Sequence, residues 1–176
     1  MDRELISRAR AGDREAFELI VVTKGEPLFR TALAILGNEA DARDATQEAF
    51  IASWGKISGL RDLDRFDAWL GRILINECRM TLRKRRRVRE VPVDEALDSP
   101  DLPDRPISQP TPDSANSSEF DDAFARLSVD QRSILVLHHL HGYGVREIGA
   151  WLGIPSGTVK WRLNRARNAL RAELES

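Results

Sequence analysis

The sequence predicts an all-α protein made of two small helical domains joined by a flexible acidic linker. Apolar residues recur at helical spacing on both sides of the chain's middle, which is typical of amphipathic helices. The middle itself, residues 90–119, contains six prolines and eight acidic side chains against one arginine. Such a segment cannot bury enough apolar surface to fold by itself, so we expect an extended linker.

Length, composition and charge narrow the class of protein. The chain has 176 residues, of which 41% are hydrophobic, and this is enough material for real cores. The N-terminus is charged and no apolar run is long enough to span a membrane, so we expect a cytoplasmic protein without membrane insertion. Its one cysteine, Cys78, excludes an internal disulfide and a thiolate zinc cluster. Residues 1–89 hold 18 Lys and Arg against 14 Asp and Glu, and residues 120–176 hold eight against six, so two basic blocks flank the acidic linker.

The first predicted domain, residues 1–89, opens with short helical segments. Asp13 is placed to cap a helix that contains Phe17 and Ile20. Gly25 and Pro27 are expected to interrupt that helix, and a further apolar helix follows up to about Leu36. These segments are interpreted as scaffold.

An acidic face is predicted on the next helix, from Glu39 to about Ile57. Asn38 and Asp41 have the spacing of a helix cap. Apolar residues from Ala42 to Ile57 form the inward side of this helix. The residues displayed at i, i+3, i+4 and i+7 are Asp44, Gln47, Glu48 and Ile51. Two interpretations remain open at this point, a solvated acidic face and a docking surface for a basic partner helix.

A basic stripe is predicted on the longest helix, from Arg65 to about Arg87. Its members, spaced by whole helical turns, are Arg65, Arg72, Asn76, Arg79, Arg83 and Arg86. The helix ends in the run RKRRRVR, residues 83–89. Basic runs can simply lie in water, but a stripe that continues the run along one face favours contact with a nucleic-acid backbone.

The second predicted domain, residues 120–176, has the form of a helix-turn-helix. Ser128 and Gln131 form a capping box ahead of the apolar residues Ile134 and Leu137. Three histidines follow, His138, His139 and His141, and we expect a polar helix end there because no further metal ligand stands at suitable spacing. Between residues 145 and 170, two helices are joined by a turn at Gly153, Ile154 and Pro155, and Ser156 is placed to cap the second helix.

The outward face of that second helix has the chemistry of a DNA-reading surface. Val159, Leu163 and Ala166 share its inward face, so helical phase turns the opposite residues to solvent. The outward set is Gly157, Trp161, Asn164, Arg165 and Asn168, flanked by Lys160 and Thr158. Trp161 is expected to be exposed. Arg, Lys and Asn supply donors for phosphates and base edges, although similar helix pairs also occur in bundles that bind no nucleic acid.

Four segments together resemble one family. They are GDREAF at 12–17, DARDATQEAFIASW at 41–54, RFDAWLGRILIN at 65–76, and the stretch from Val145 to Leu170 with TVKWRLNRAR. In this order they resemble the extracytoplasmic-function (ECF) sigma factors. The resemblance implies a DNA-binding subunit that joins core RNA polymerase and directs it to promoters. It implies no catalytic residues, no cofactor and no metal.

The resemblance also implies roles for particular residues. Those docking on the coiled coil of the polymerase β′ clamp would be Asp44, Gln47 and Glu48. Those binding the melted minus-ten element would be Phe66, which captures a flipped base with the loop 58–64, and Asn76, Arg79 and Arg83. Those reading the minus-thirty-five element would be Lys160, Trp161, Asn164 and Arg165, with Ser156, Thr158 and Arg162 on phosphates. The apolar face around Ile134 and Leu137 would contact the β-flap, and the resemblance implies an anti-sigma factor as a further partner.

Two residues depart from the family pattern. Met80 stands where relatives usually carry Asp or Asn, so preference at the minus-ten element cannot be transferred there. Trp161 replaces a residue that is commonly small or polar, which indicates an unusual upstream sequence or contact.

Two other functions compete with this interpretation. A self-sufficient helix-turn-helix regulator would bind duplex DNA as a dimer, tightly and without polymerase. A nuclease would need metal ligands, and the candidates Asp41, Asp44 and Glu48 share one helix face with no His or second acidic motif converging on it.

Overall fold

A computed structural model describes residues 1–89 and 119–175, and every regular element in these two ranges is helical. The first range contains α1 (Arg3–Arg10), α2 (Arg14–Leu36), α3 (Glu39–Lys56) and α4 (Phe66–Arg89), with single 3-10 turns at Ile57–Gly59 and Leu63–Arg65. The second range contains α5 (Glu119–Ala125), α6 (Val129–Leu135), a π-helical turn (Val136–Leu140), α7 (Val145–Leu152) and α8 (Ser156–Leu174). The expected linker falls almost entirely on residues 90–118, outside the described ranges.

Helix starts in the first range follow the capping signals of the sequence. The Asp13 carboxylate accepts a hydrogen bond from the Ala16 N–H at 3.1 Å, and the Asn38 side chain accepts one from the Asp41 N–H at 3.0 Å. Each bond satisfies an N–H group that the first helical turn leaves without a partner. Both predicted caps are confirmed.

The predicted break at Gly25 and Pro27 is wrong, because α2 runs through both residues. Proline removes one backbone donor and crowds the preceding turn, which usually bends or ends a helix. Here both halves of α2 bury apolar side chains in the same core, Phe17 and Ile20 before the proline and Leu28 after it. Tertiary packing therefore outweighs the local penalty.

Aromatic packing between α2 and α3 fixes the orientation of α3. The Phe17 ring lies 6.5 Å from the Phe50 ring and 4.9 Å from the Trp54 ring, measured between centroids. Edge-to-face and tilted pairs at these separations are favourable beyond the area they bury. With one side of α3 held against α2, its opposite side is presented to solvent.

In the second range, α6 and α8 carry most of the core. The predicted capping box is confirmed: Ser128 accepts from the Gln131 N–H, and the Gln131 side chain accepts from the Ser128 N–H at 2.9 Å. Ile134, Leu137, Ile148 and Val159 are fully buried. These residues hold α7 and α8 in the helix-turn-helix arrangement.

Two glycines make the turn between α7 and α8 possible. Gly153 ends α7 with φ of 71°, a left-handed conformation that favours glycine. A Cβ added at Gly149 would lie 2.7 Å from the Ile154 carbonyl oxygen, so α7 approaches the turn more closely than any other residue permits. The expected N-cap at Ser156 is wrong, because Pro155 occupies that position and Ser156 is the first helical residue. Proline's fixed φ suits this position, and the Ser156 side chain makes no capping bond.

The two helical groups pack against each other. Trp151 of α7 lies directly on Gly71 of α4, where an added Cβ would overlap the indole ring. Arg72 of α4 donates a hydrogen bond from Nη2 to the Ala150 carbonyl oxygen at 2.8 Å. In the ranges 1–89 and 119–175, no helix combines the length and apolar character that a bilayer span requires.

Candidate polymerase and nucleic-acid interfaces

The acidic face of α3 is exposed as the sequence predicts. Asp44, Gln47, Glu48 and Ile51 are all exposed, while the alanines between them face the core. We call these four residues the α3 surface. Three polar side chains are followed, one helical turn on, by Ile51, which is 57% exposed, so the surface offers both polar and apolar contact to a partner. An open apolar groove between α2 and α3 continues this surface past Phe29 and Phe50.

Asp41 does not belong to the α3 surface. Its carboxylate lies 2.6 Å from Arg85 Nε of α4 and only 14% of its side chain is exposed. Burial raises the pKa of Asp41, an effect that the Arg85 charge opposes and the Asp44 charge reinforces. Asp41 therefore joins α3 to the basic end of α4 and is half-buried.

The basic stripe on α4 is continuous over the residues whose side chains are described. Arg72, Asn76 and Arg83 are exposed and Arg79 is half-buried. Arg79 Nη1 donates to Asn76 Oδ1 at 2.8 Å, so the two side chains are held together on one face. This arrangement offers several donors to a phosphate backbone along one helix side. The Arg86 side chain lies outside the described set.

The expected role of Phe66 is corrected by its burial. Phe66 is the first residue of α4, only 1% of it is exposed, and its ring packs 5.7 Å from the Trp69 ring. A base cannot stack on a ring enclosed by its own core. We therefore remove Phe66 from the candidate nucleic-acid interface, while the loop at residues 58–64 keeps its exposed charged side chains Arg61, Asp62 and Asp64.

The outward face of α8 is exposed where helical phase predicts. Lys160, Trp161, Asn164 and Arg165 are exposed, opposite the buried Val159, Leu163 and Ala166. Trp161 is 59% exposed, which confirms the expectation that it faces away from the core. Ser156 is exposed at the helix start, and Thr158 and Arg162 lie half-exposed on the flank. We call the seven residues the α8 surface.

Two contacts at these interfaces were not predicted from the sequence. Trp151 is 8% exposed and packs on Gly71 and, 5.4 Å away, on the Tyr143 ring. Asp130 accepts a hydrogen bond from Arg79 Nε at 2.7 Å, and its other oxygen lies 4.0 Å from Arg162 Nη1. The only feature of the sequence that pointed to the Trp151 contact was the presence of a large aromatic residue in the first helix of a helix-turn-helix, next to the inward residues Ile148 and Leu152.

The face expected to contact the β-flap is also corrected. Ile134 and Leu137 are fully buried within the second group, so neither can meet a partner without unfolding. The apolar side chain that is exposed next to them is Leu140, at the end of the π-helical turn.

The three histidines form hydrogen bonds with three different partners. His138 Nδ1 donates to the Tyr143 carbonyl at 3.1 Å, and His139 Nε2 accepts from Arg167 at 3.3 Å. His141 Nε2 donates to Thr31 Oγ1 at 3.0 Å, because that hydroxyl donates its own proton to the Pro27 carbonyl. Burial lowers the pKa of His139 and of His141. Among the residues that the structure describes, no three His, Cys, Asp or Glu side chains form a metal site.

Comparisons of the sequence and of the structure with known proteins identify the same family. A family model described as sigma-70 region 2 matches residues 22–88, and one described as sigma-70, region 4 matches residues 117–170. The chain is 35% identical to the RNA polymerase sigma-E factor of Streptomyces antibioticus, over 94% of this chain and 88% of that one. It is 31% identical to the ECF RNA polymerase sigma factor SigW of Bacillus subtilis, over 99% and 97%. A solved structure of the sigma factor RpoE of Bartonella quintana with its anti-sigma factor NepR matches with a TM-score of 0.63 and 27% identity, over 90% of this chain and 96% of that one.

Proposed function

The chain belongs to the ECF sigma factors, the non-enzymatic subunits that direct bacterial RNA polymerase to promoters, and on that premise we propose which of its residues perform each step. The proposed division is a promoter-melting domain at residues 1–89, a linker at 90–119 and an upstream-reading domain at 120–176. Its place of action is the cytoplasm, where RNA polymerase works.

Docking on core polymerase is assigned to the α3 surface. The observation that carries this assignment is the exposure of Asp44, Gln47 and Glu48 in a row along α3 that ends at the exposed Ile51. Acidic side chains next to an exposed apolar one complement a basic helical partner, here the coiled coil of the β′ clamp. The open groove beside Phe29 gives a partner side chain a place to insert.

Promoter contact is assigned to two surfaces, and each surface binds a different promoter element. Asn76, Arg79 and Arg83 on α4 would hold the melted minus-ten strand through phosphates and base edges. The α8 surface would enter the major groove of the minus-thirty-five element, with Ser156, Thr158 and Arg162 on phosphates and the remaining four residues on bases. No bond is made or broken by these residues, because melting consists of trapping separated strands.

An anti-sigma factor is proposed as the partner that keeps the protein inactive. Support comes from the RpoE structure, in which a sigma factor of similar fold is bound to such a protein. The β-flap is proposed as a second polymerase contact, with Leu140 in place of Ile134 and Leu137 as its exposed apolar residue.

The test combines a pull-down with transcription. Wild-type protein should capture core RNA polymerase, and Asp44→Arg/Glu48→Arg should lose at least about 10-fold in capture because it places like charges against the partner. Glu4→Arg/Glu175→Arg is the matched control, since it reverses two exposed charges at sites outside both surfaces. Transcription from a library of randomised promoters should depend on wild-type protein. Equal capture by all three proteins would refute the docking assignment, and tight duplex binding without any capture would favour the self-sufficient regulator.

A further inference from the structure

The first helix of the chain, α1, packs on the loop at residues 58–64, which leads into α4. Its buried residues Ile6 and Ala9 belong to the core of the first helical group. α1 also lies against both 3-10 turns, Ile57–Gly59 and Leu63–Arg65. The proposed function assigns nothing to α1, although this helix supports the segment that joins the docking helix α3 to the strand-binding helix α4.

Two arginines of α1 contact this loop. Arg10 Nη1 donates a partly buried hydrogen bond to the Leu60 carbonyl oxygen at 3.3 Å. Leu60 ends the first 3-10 turn and its side chain is buried, so the bond fixes the backbone between the two turns. Arg3 Nη1 donates to Asp64 Oδ2 at 3.4 Å, in a contact that is exposed on both sides. The loop is therefore held from α1 at two separate points.

The segment GDREAF, residues 12–17, fixes the orientation of α1. Gly12 turns the chain between α1 and α2 with φ of 94°, in the left-handed region that favours glycine. Asp13 then uses both carboxylate oxygens: Oδ1 accepts from the Ala16 N–H at 3.1 Å and Oδ2 accepts from Arg8 Nε at 2.8 Å. The residue that caps α2 thus also binds the end of α1, which gives α1 a fixed position beside the loop.

The loop ends where the basic stripe of α4 begins. Arg65, the first member of the stripe, is the last residue of the second 3-10 turn, and Arg61 of the loop is exposed. The two acidic side chains of the loop are paired, Asp62 with Arg65 at 3.2 Å and Asp64 with Arg3. Because paired carboxylates repel phosphate less than isolated ones, the loop can continue the nucleic-acid contact of the stripe.

We propose that α1 is a positioning element for promoter melting, in which Arg10 and Arg3 hold the loop at residues 58–64 in the conformation that contacts the separated minus-ten strand. This inference rests on the proposed function, because it needs the loop and the α4 stripe to bind that strand. Neither arginine touches the strand, and both act through the loop. A loop that samples other conformations binds with an apparent affinity reduced by the population of its competent form.

Arg10→Met is the main variant, because it removes the guanidinium and keeps an apolar stem. Arg10→Lys is the conservative variant, which keeps a charged donor. Arg14→Met is the matched control, since it makes the same replacement at an exposed position on α2. Arg3→Met breaks the exposed contact and leaves the partly buried one intact. Arg61→Glu tests the loop itself, because it reverses an exposed charge without altering α1.

Two measurements separate order in the loop from binding by the loop. Hydrogen exchange of the free protein, followed by mass spectrometry, reports the order of residues 57–65. Fluorescence polarisation of holoenzyme reports its affinity for a fluorescein-labelled single strand that carries the minus-ten region of a promoter selected with wild-type protein.

Arg10→Met should speed exchange in the loop and weaken strand binding by about 5-fold or more, as expected for a lost hydrogen bond from a charged donor. Arg3→Met should act in the same direction by a smaller factor, Arg10→Lys should recover most of the affinity, and Arg14→Met should match wild type. Capture of core polymerase should be unchanged in all four, because docking is assigned to α3. Circular dichroism checks that each variant remains helical.

Three results would overturn the inference. Unchanged strand affinity in Arg10→Met and Arg3→Met, with a loss in Arg61→Glu, would remove the role of α1 and leave the proposed function intact. Unchanged affinity in all three would show that the loop does not bind the strand, so this part of the proposed function would fail as well. Equal losses of strand binding and of polymerase capture in Arg10→Met would make Arg10 a residue of general structural importance.

Discussion

The guanidinium carbon of Arg165 lies 5.3 Å from the centroid of the Trp161 ring, so the two side chains form a cation–π pair on the exposed face of α8. The two residues are one helical turn apart, and a cation–π contact contributes about 0.5–1 kcal/mol at exposed sites. Its effect is to hold the Arg165 fork over the outward face of the helix. An arginine held in this way loses less side-chain entropy when it binds a base edge.

Removing the indole should therefore weaken upstream promoter reading through Arg165 as well as directly. Trp161→Ala is expected to reduce transcription from selected promoters by about 3-fold or more, which corresponds to the lost cation–π energy. It should also relax the base preference at one or two upstream positions. Sequencing of promoters selected from a randomised library with each protein measures both effects.

The control for this prediction is Phe120→Ala, which truncates another large exposed apolar side chain in the same helical group. It should leave the selected upstream sequence unchanged. An identical upstream consensus for Trp161→Ala and wild type would contradict a reading role for Trp161.

A second prediction concerns the basic stripe on α4. Arg83 is exposed, and Arg83→Gln removes one positive charge from the proposed strand-binding face. Each lost phosphate contact on a single strand should lower the salt slope of binding by about 0.7. Fluorescence polarisation of holoenzyme with a labelled single strand, measured over a series of salt concentrations, gives that slope. Arg14→Gln, an exposed arginine on α2, should leave the slope unchanged.

A third prediction separates the two serines that the sequence places at helix starts. Ser128 accepts a hydrogen bond from the Gln131 N–H, so Ser128→Ala should cost about 1 kcal/mol of unfolding free energy. Ser156 makes no capping bond, and Ser156→Ala should leave stability within about 0.5 kcal/mol of wild type. Urea unfolding of the full-length protein measures both. Equal losses for the two variants would restore the expected cap at Ser156.

A fourth prediction concerns the pH dependence of stability. Burial raises the pKa of Glu77, and the neighbouring Glu48 raises it further against the opposing charge of Lys56. The native state therefore binds this proton more tightly than the unfolded state does, and its contribution to stability falls as pH rises from 4.5 through the native pKa. Glu77→Gln should raise stability at neutral pH and flatten this part of the stability curve. Thermal unfolding over a pH series measures this dependence of stability on pH, and Glu18→Gln on α2 is the exposed control.

Helical phase predicted the faces correctly because it depends only on local spacing. Val159, Leu163 and Ala166 determine the direction in which Trp161 points, and the structure agrees. The nucleic-acid role of Phe66 comes from the family resemblance, which does not report that neighbouring elements enclose this side chain. Local spacing also does not weigh tertiary packing against a local penalty, and for this reason it does not predict that α2 continues through Pro27.

The junction between the two groups was beyond sequence reasoning for a different reason. Arg72 and Ala150 are 78 residues apart in the chain, and neither lies in a motif that refers to the other. A glycine within a basic helix and a tryptophan beside a turn become meaningful only when three-dimensional contacts are known.

The burial of Cys78 has a practical consequence for experiments on this protein. Cys78 is the only cysteine in the chain, it is fully buried, and desolvation raises the pKa of its thiol to about 12. Because the thiolate is the reactive form, maleimide reagents should leave the native wild-type protein unlabelled at neutral pH. A cysteine introduced at any exposed position would then carry a fluorophore or spin label alone. Pairs of such labels on α4 and α8 would report distances between these helices during transcription initiation, without a cysteine-free background.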